Sequence, residues 1–297
     1  MSENKTHKAG FVNIIGNPNV GKSTLMNALV GENLSIITSK VQTTRHRILG
    51  IVNGDDFQMV YSDTPGIIKN PNYKLQEAMM HFVAAAIEDA DVFLYVTTLD
   101  DDEIQAEIAE KIRQSQVPIV VAINKIDLSN QDAVMVKIED VKSIFPEAEI
   151  LPISALHKFN IEGIFELILR QLPDGEAFYP KDELTDKTMR FFVSEIIREK
   201  VLLNYQKEVP YSVEVSVEEY HESDDRIEIR AFLYVLRESQ KGIILGHQGK
   251  AIKKLGIEAR KDIEEFVGKH VFLDLSVKVK KDWREDNILL KQFGYTD

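Results

Sequence analysis

Apolar residues follow two different rhythms along the chain. Up to about residue 172, runs at 11–15, 92–96, 119–123 and 150–153 are short and almost unbroken, the pattern of strands buried on both faces of a parallel sheet. Stretches of helical composition lie between them, at 22–30, 75–88, 103–115, 131–144 and 160–172. Strand and helix therefore alternate, which predicts an α/β domain with a mostly parallel sheet. Two further strand-like runs, 48–52 and 57–61, are joined by Asn53-Gly54-Asp55, a hairpin signal that adds one antiparallel edge strand.

The rhythm changes after Pro173-Asp174-Gly175-Glu176 and Pro180, so residues 173–182 read as a linker between a domain over 1–172 and another over 183–297. A helix is expected around 188–204 with Phe192, Ile196 and Leu203 on one face. Strict alternation follows at Val213/Val215/Val217 and Ile227/Ile229/Ala231/Leu233/Val235, then helical material over 249–267, then Val271/Leu273/Leu275/Val277/Val279. Period-2 strands with polar alternate positions predict a three-stranded sheet with helices on one side, in the order αββααβ.

Composition narrows the class without changing that picture. With 297 residues, 44% hydrophobic and 28% charged, the chain has enough apolar surface for two cores and is no disordered tail. The absence of cysteine rules out disulfides, thiolate zinc sites and cysteine nucleophiles. No apolar run approaches a bilayer span, and MSENKTHKAG carries no signal-peptide core, so a cytoplasmic protein is expected. The net charge of −12 argues against a polyanionic partner, but it is unevenly spread. Residues 237–261 hold seven Lys or Arg against two Glu, a basic patch of net +5 on an acidic protein. The seven histidines show no metal-ligand spacing, and Trp283 reads as a packing residue.

Directly after the first strand stands Gly16-Asn17-Pro18-Asn19-Val20-Gly21-Lys22-Ser23, followed by Thr24, the G-x-x-x-x-G-K-[ST] pattern of a phosphate loop. Its glycines let main-chain N–H groups face phosphate oxygens at a helix N-terminus. Lys22 is placed to bridge the β and γ phosphates, and Ser23 to ligate Mg²⁺. Asp63-Thr64-Pro65-Gly66 follows the 57–61 strand. There a carboxylate reaches the metal and the Gly66 amide meets the γ-phosphate. Asn124-Lys125-Ile126-Asp127 ends the 119–123 strand, at the sheet edge where α/β proteins bind ligands. The Asp127 carboxylate suits the two donors of guanine, which adenine lacks. Lys125 is expected to lie along the base, Asn124 to brace the phosphate loop, and Ser154-Ala155, with Leu156 beside it, to offer a main-chain N–H to the guanine oxygen. In this order at strand ends, these strings resemble the translation-factor-related class of GTPases.

Gln42-Thr43-Thr44-Arg45 lies in a polar stretch before the hairpin, where a threonine meets Mg²⁺ and the γ-phosphate in the GTP state and releases them on hydrolysis. Thr44 is favoured over Thr43 because similar GTPases carry this threonine directly before the arginine. Ras-like enzymes orient the attacking water with a glutamine after the third-motif glycine; here that residue is Ile67, which cannot hold a water. Either intrinsic hydrolysis is slow or other groups manage water and charge. By the same resemblance, Asn19 is a candidate to hold a K⁺ ion at the phosphates, or only a residue that stabilises the loop.

Leu245-Gly246-His247-Gln248-Gly249-Lys250, with Lys253 and Lys254 on the next helix, falls at a helix joint inside the basic patch. A G-x-x-G loop in an αββααβ frame is the backbone clamp of a type II KH domain, which holds single-stranded nucleic acid. With the strings Gln42-Thr43-Thr44-Arg45-His46-Arg47, Ser194-Glu195-Ile196-Ile197-Arg198-Glu199-Lys200 and Gly256-Ile257-Glu258-Ala259-Arg260-Lys261, the chain from about Gly10 to Tyr295 resembles the Era family of bacterial GTPases. That resemblance implies a P-loop GTPase domain followed by a KH domain. It also implies GTP and GDP with Mg²⁺ as ligands, and a monomer that binds the 3′ end of small-subunit (16S) ribosomal RNA. Assistance to small ribosomal subunit maturation and peripheral association with the inner face of the cell membrane belong to the same implication. Read from residues alone, two alternatives stand: a switch whose second domain binds protein or membrane, and an RNA-binding module whose nucleotide site does not turn over.

Overall fold

A computed structural model describes residues 6–101, 104 and 106–296 as two compact units. The first comprises residues up to Ser35, Thr44–Pro71 and Met79–Asp186. The second comprises Ile36–Thr43, Asn72–Ala78 and the chain from Lys187 onward.

In chain order the first unit contains β1 (Lys8–Ile15), α1 (Lys22–Val30), β2 (Ile48–Asn53), β3 (Phe57–Asp63), α2 (Lys74–Glu88), β4 (Val92–Thr98) and α3 (Ala106–Gln114). β5 (Ile119–Asn124), α4 (Gln131–Ile144), β6 (Glu149–Pro152) and α5 (Ile161–Gln171) complete it. The first turn of α2 is counted with the second unit. Of the helix expected over 103–115, positions 103 and 105 lie outside the described residues, and the observed helix is Ala106–Gln114. The sheet order is β2-β3-β1-β4-β5-β6, all parallel except the β2–β3 hairpin. The chain moves outward from β1 to β3 on one side and then crosses to β4 on the other. The loops after β1 and β3 therefore flank a topological switch point, where open α/β sheets bind ligands.

Residues 173–182, expected as a linker, lie against the starts of β1 and β3 and the β2–β3 turn of the first unit. Ala9 donates to the Pro173 carbonyl at 3.2 Å, Gln58 brackets Phe178 and Tyr179, and Lys181 reaches the Gly54 carbonyl at 2.7 Å. The edge strand β2 is met just after it: its Ile51 N–H, without a further strand to pair with, donates to the Leu184 carbonyl at 2.8 Å. The unit boundary falls at Asp186/Lys187.

The second unit contains α6 (Met189–Asn204), β7 (Glu214–Glu222), β8 (Arg226–Val235), α7 (Glu238–Leu245), α8 (Lys250–Val267), β9 (His270–Val279) and α9 (Asn287–Gln292). Its sheet runs β7-β8-β9, antiparallel then parallel, and the αββααβ order stands as expected. The core face of α6 is Val193, Ile197 and Val201, packed with Ile229, Leu233, Leu255, Ala259 and Ile263. Of the stripe that spacing predicts, Ile196 packs against this core, whereas Leu203 is 57% exposed and Phe192 packs on Phe191 and Phe266. Apolar residues surround this helix, so spacing alone offers several stripes and the packing partner selects one. The opposite sheet face is not left wholly polar: Phe293 packs on Tyr234 and on Trp283, whose indole N–H donates to the Ser212 carbonyl at 3.0 Å. Trp283 is fully buried, a packing residue as read. Among the described residues no helix is long and apolar enough to cross a membrane.

Candidate nucleotide and nucleic-acid sites

The phosphate loop joins β1 to α1, and the residue before the helix, Gly21, has φ 98°. A Cβ there would lie 2.3 Å from Nδ2 of Asn124, so glycine is required by both conformation and space. Asn124 itself donates to the Val20 carbonyl at 2.9 Å, which is the bracing expected of it. Lys22 is buried, with Nζ donating to the carbonyls of Gly16 and Asn17 at 2.9 Å each. Burial pulls the ammonium pKa down to about 8, although the carboxylates of Asp63 and Asp101 oppose that shift. A phosphate arriving at the loop supplies the anion that such a desolvated lysine lacks.

Ser23, Thr44 and Asp63 converge. Ser23 Oγ lies 2.8 Å from Thr44 Oγ1 and 2.7 Å from Asp63 Oδ2, and Thr44 donates to that same oxygen at 3.3 Å. Asp63 is fully buried, and burial raises its pKa despite these bonds and the nearby Lys22. Its Oδ1 has no hydrogen-bond partner. An all-oxygen cluster around an orphaned buried carboxylate oxygen fits a hard divalent cation such as Mg²⁺. Thr43 is placed elsewhere, its hydroxyl bonded to Thr38 and to the Lys40 carbonyl. Gly66 approaches Pro18 of the phosphate loop so closely that a Cβ would meet it at 2.8 Å. Ile67 is buried among Ile15, Val83 and Phe93, so its side chain belongs to the core.

At the base end, Lys125 takes a left-handed conformation (φ 63°) and its Nζ donates to the Asn19 carbonyl at 2.6 Å. Asp127 sits in a short 3₁₀ turn with His157 Nε2 at 3.8 Å, a neighbour that histidine spacing alone could not reveal. The main-chain N–H groups of Ser154 and Ala155, expected to face the guanine oxygen, have partners within the chain. Ser154 donates to the Phe159 carbonyl at 3.2 Å and Ala155 to Asn124 Oδ1 at 2.9 Å. A guanine oxygen would share the Ala155 donor or turn to Leu156, which is 74% exposed.

In the second unit the 246–249 loop joins α7 to α8. Gly246 (φ 67°), Gln248 (φ 53°) and Gly249 (φ 75°) are all left-handed, and a Cβ on Gly246 would lie 2.6 Å from that of Ala251. His247, Gln248, Lys250, Lys253 and Lys254 are exposed around it, with Lys254 also 3.6 Å from Glu258. Beyond the loop, α8 and β9 enclose a groove of about 290 Å³ lined by Ile252, Lys253, Gly256, Ile257, Arg260 and Phe272, among others. Ile257 and Phe272 are more than half exposed in it. In the sequence this groove shows only as Phe272, an apolar residue at an outward-facing β9 position, which spacing reads as a lone exception.

Residues 11–125 match a family model described as a 50S ribosome-binding GTPase, and residues 208–284 match a KH domain model. Two solved structures resemble the whole chain. A tyrosine-to-alanine variant of Era from Aquifex aeolicus, bound to GDP and aluminium fluoride, is 37% identical with a TM-score of 0.93, covering 98% of this chain and 100% of that one. Era in complex with MgGDPNP and nucleotides 1506–1542 of 16S ribosomal RNA is 38% identical with a TM-score of 0.92, over the same shares. With a phosphate loop, a guanine-type motif and a KH fold in one chain that aligns end to end with these structures, the protein belongs to the Era family of GTPases.

Proposed function

We propose that this protein is a GTP-hydrolysing switch that binds the 3′ end of 16S ribosomal RNA and assists maturation of the small ribosomal subunit. One observation carries the reading: the chain joins a Ser23–Thr44–Asp63 oxygen cluster at a phosphate loop to a KH loop and groove. A 38% identical relative holds a GTP analogue and that RNA together. Lys22 and the loop amides bind the phosphates, Asp127 selects guanine, and Ser23, Thr44 and Asp63 hold Mg²⁺. The metal supplies charge neutralisation at the phosphates. Because Ile67 is in the core, this chain positions water and charge with main-chain groups such as Gly66, and Asn19 is the residue assigned to a K⁺ ion. The loop residues Gly246, His247, Gln248 and Gly249 clamp the RNA backbone. Lys250, Lys253 and Lys254 neutralise its phosphates, and the α8–β9 groove takes bases. The protein acts as a monomer in the cytoplasm, with the membrane surface as a second location that rests on the family resemblance alone.

Filter binding to a single-stranded RNA of the 16S 3′ sequence, with and without a GTP analogue, tests the RNA half; multiple-turnover phosphate release tests the enzyme half. RNA binding without turnover would favour the module whose nucleotide site is structural. Turnover without RNA binding would favour a switch with a protein or membrane partner.

A further inference from the structure

Asp101 lies just past the end of β4, outside every motif assigned above, yet it is bonded on three sides. Its Oδ1 accepts from Nδ2 of Asn17 at 2.7 Å and its Oδ2 from the Thr97 hydroxyl at 3.0 Å. Its main-chain carbonyl accepts from Lys137 Nζ of α4 at 2.5 Å. Asn17 is the second residue of the phosphate loop, and its own carbonyl is one of the two that hold Lys22. A continuous run of bonds thus leads from α4 through Asp101 and Asn17 to the lysine that meets the phosphates. Thr97 is fully buried in β4, so the carboxylate is held from a rigid strand while it grips a loop. Loops that bind phosphate through main-chain groups gain affinity when their geometry exists before the ligand arrives.

The geometry points to Asp101 as a positioning residue for nucleotide binding, which by gripping the Asn17 carboxamide presets the phosphate loop and the place of Lys22. The inference rests on the reading of 16–23 as the phosphate site. An aspartate there acts on release of the nucleotide more than on its capture, since the preset loop is what a bound phosphate must leave. Asparagine at the same position retains an oxygen for Asn17 and offers an N–H to the Thr97 hydroxyl, so it preserves both bonds without the charge.

Stopped-flow release of fluorescent mant-GDP from the full-length protein tests this. Asp101→Ala is expected to speed release about tenfold, the scale of one lost charge-assisted hydrogen bond. Asp101→Asn should stay within about threefold of the unaltered protein. Asn17→Ala should match Asp101→Ala, and the double variant should release no faster than either single one, because both break the same link. The preference for GDP over IDP, read at the distant base pocket, should be unchanged in all of them, which a general loosening of the fold would not allow. If Asp101→Ala does not fold, Asn17→Ala set beside Asp101→Asn gives the same comparison. Release at the native rate in Asp101→Ala or Asn17→Ala, multiplying effects in the double variant, or no rescue by asparagine would overturn the assignment. Failure of the unaltered protein to bind mant-GDP would remove the phosphate-site reading beneath it, a distinct result.

Discussion

The Asn124 side chain donates to the main-chain carbonyl of Val20, 104 residues earlier in the chain, and accepts from the N–H of Ala155 with its other end. One buried carboxamide therefore ties the phosphate loop to the loop after β6, and sets the distance between phosphates and base. Asn124→Ala leaves a buried carbonyl and a buried N–H unpaired, at about 1–3 kcal/mol each if no water enters. Nucleotide affinity is expected to fall at least tenfold and the melting temperature to drop, measurable by titration calorimetry and thermal unfolding. Undiminished GDP affinity would show that the two loops hold their spacing without it.

Guanine specificity is expected to reside in Asp127. Asp127→Asn replaces a double acceptor with one acceptor and one donor, weakening GTP by a few kcal/mol and favouring xanthosine triphosphate, whose base carries a carbonyl where guanine has its amino group. Competition binding with GTP, ATP and xanthosine triphosphate measures this. Equal ATP and GTP affinity in the unaltered protein would contradict it.

Ile67 lies in the core, 5% exposed, and its substitution separates packing from chemistry. Ile67→Ala is expected to cost about 2–5 kcal/mol of stability while the single-turnover rate, measured where the protein is still folded, changes little. Lys22→Ala should abolish that rate. If Ile67→Ala slows hydrolysis as much with binding intact, the side chain handles water after all. Rates should be higher in potassium than in sodium, and equal rates would remove the role given to Asn19.

Loop carboxylates should repel RNA without touching GTP. Gln248→Glu is the clean variant, because position 248 already carries a side chain in its left-handed conformation. Gly246→Asp would also force a contact with Ala251 and distort the clamp. RNA affinity should fall with salt at a slope of about −0.7 per phosphate neutralised, and Lys253→Ala should flatten that slope. Salt-insensitive binding would move the RNA contact off this loop.

Arg198 and Glu195 form an ion pair that is almost wholly buried in α6, with Nε to Oε1 at 2.7 Å. Burial is the largest single influence and opposes the charge, but attraction and hydrogen bonding to Glu195, with Tyr295 and Glu214 nearby, together raise the guanidinium pKa, so the arginine stays charged at any accessible pH. Arg198 Nη2 also donates to the Thr43 carbonyl, and thereby holds the 36–43 segment within the second unit. Arg198→Met removes the counter-charge of the buried Glu195 carboxylate and is expected to cost about 3–5 kcal/mol. The double variant Arg198→Met/Glu195→Leu should recover much of it in denaturant unfolding. Equal losses in the two would mean that the uncompensated charge is not the cause.

Elements and motifs whose physics is local are legible in the residues alone. The glycines and lysine of 16–23 define a phosphate loop wherever they follow a strand, unbroken apolar runs demand a doubly covered sheet, and strict alternation over 227–235 demands a sheet with two unlike faces. The order of motifs along an α/β chain also puts them at one sheet edge, because parallel strands place all their ends together. Tertiary structure decided whatever depended on a distant partner. The stripe of α6 that is buried, the course of 173–182 against the starts of β1 and β3, and the membership of 36–43 in the second unit follow from which surfaces needed covering. No local rule records those needs. Asp101 and Asn17 are separated by 84 residues and neither stands out in composition. Only the folded sheet, with β1 and β4 side by side, brings that carboxylate to the phosphate loop.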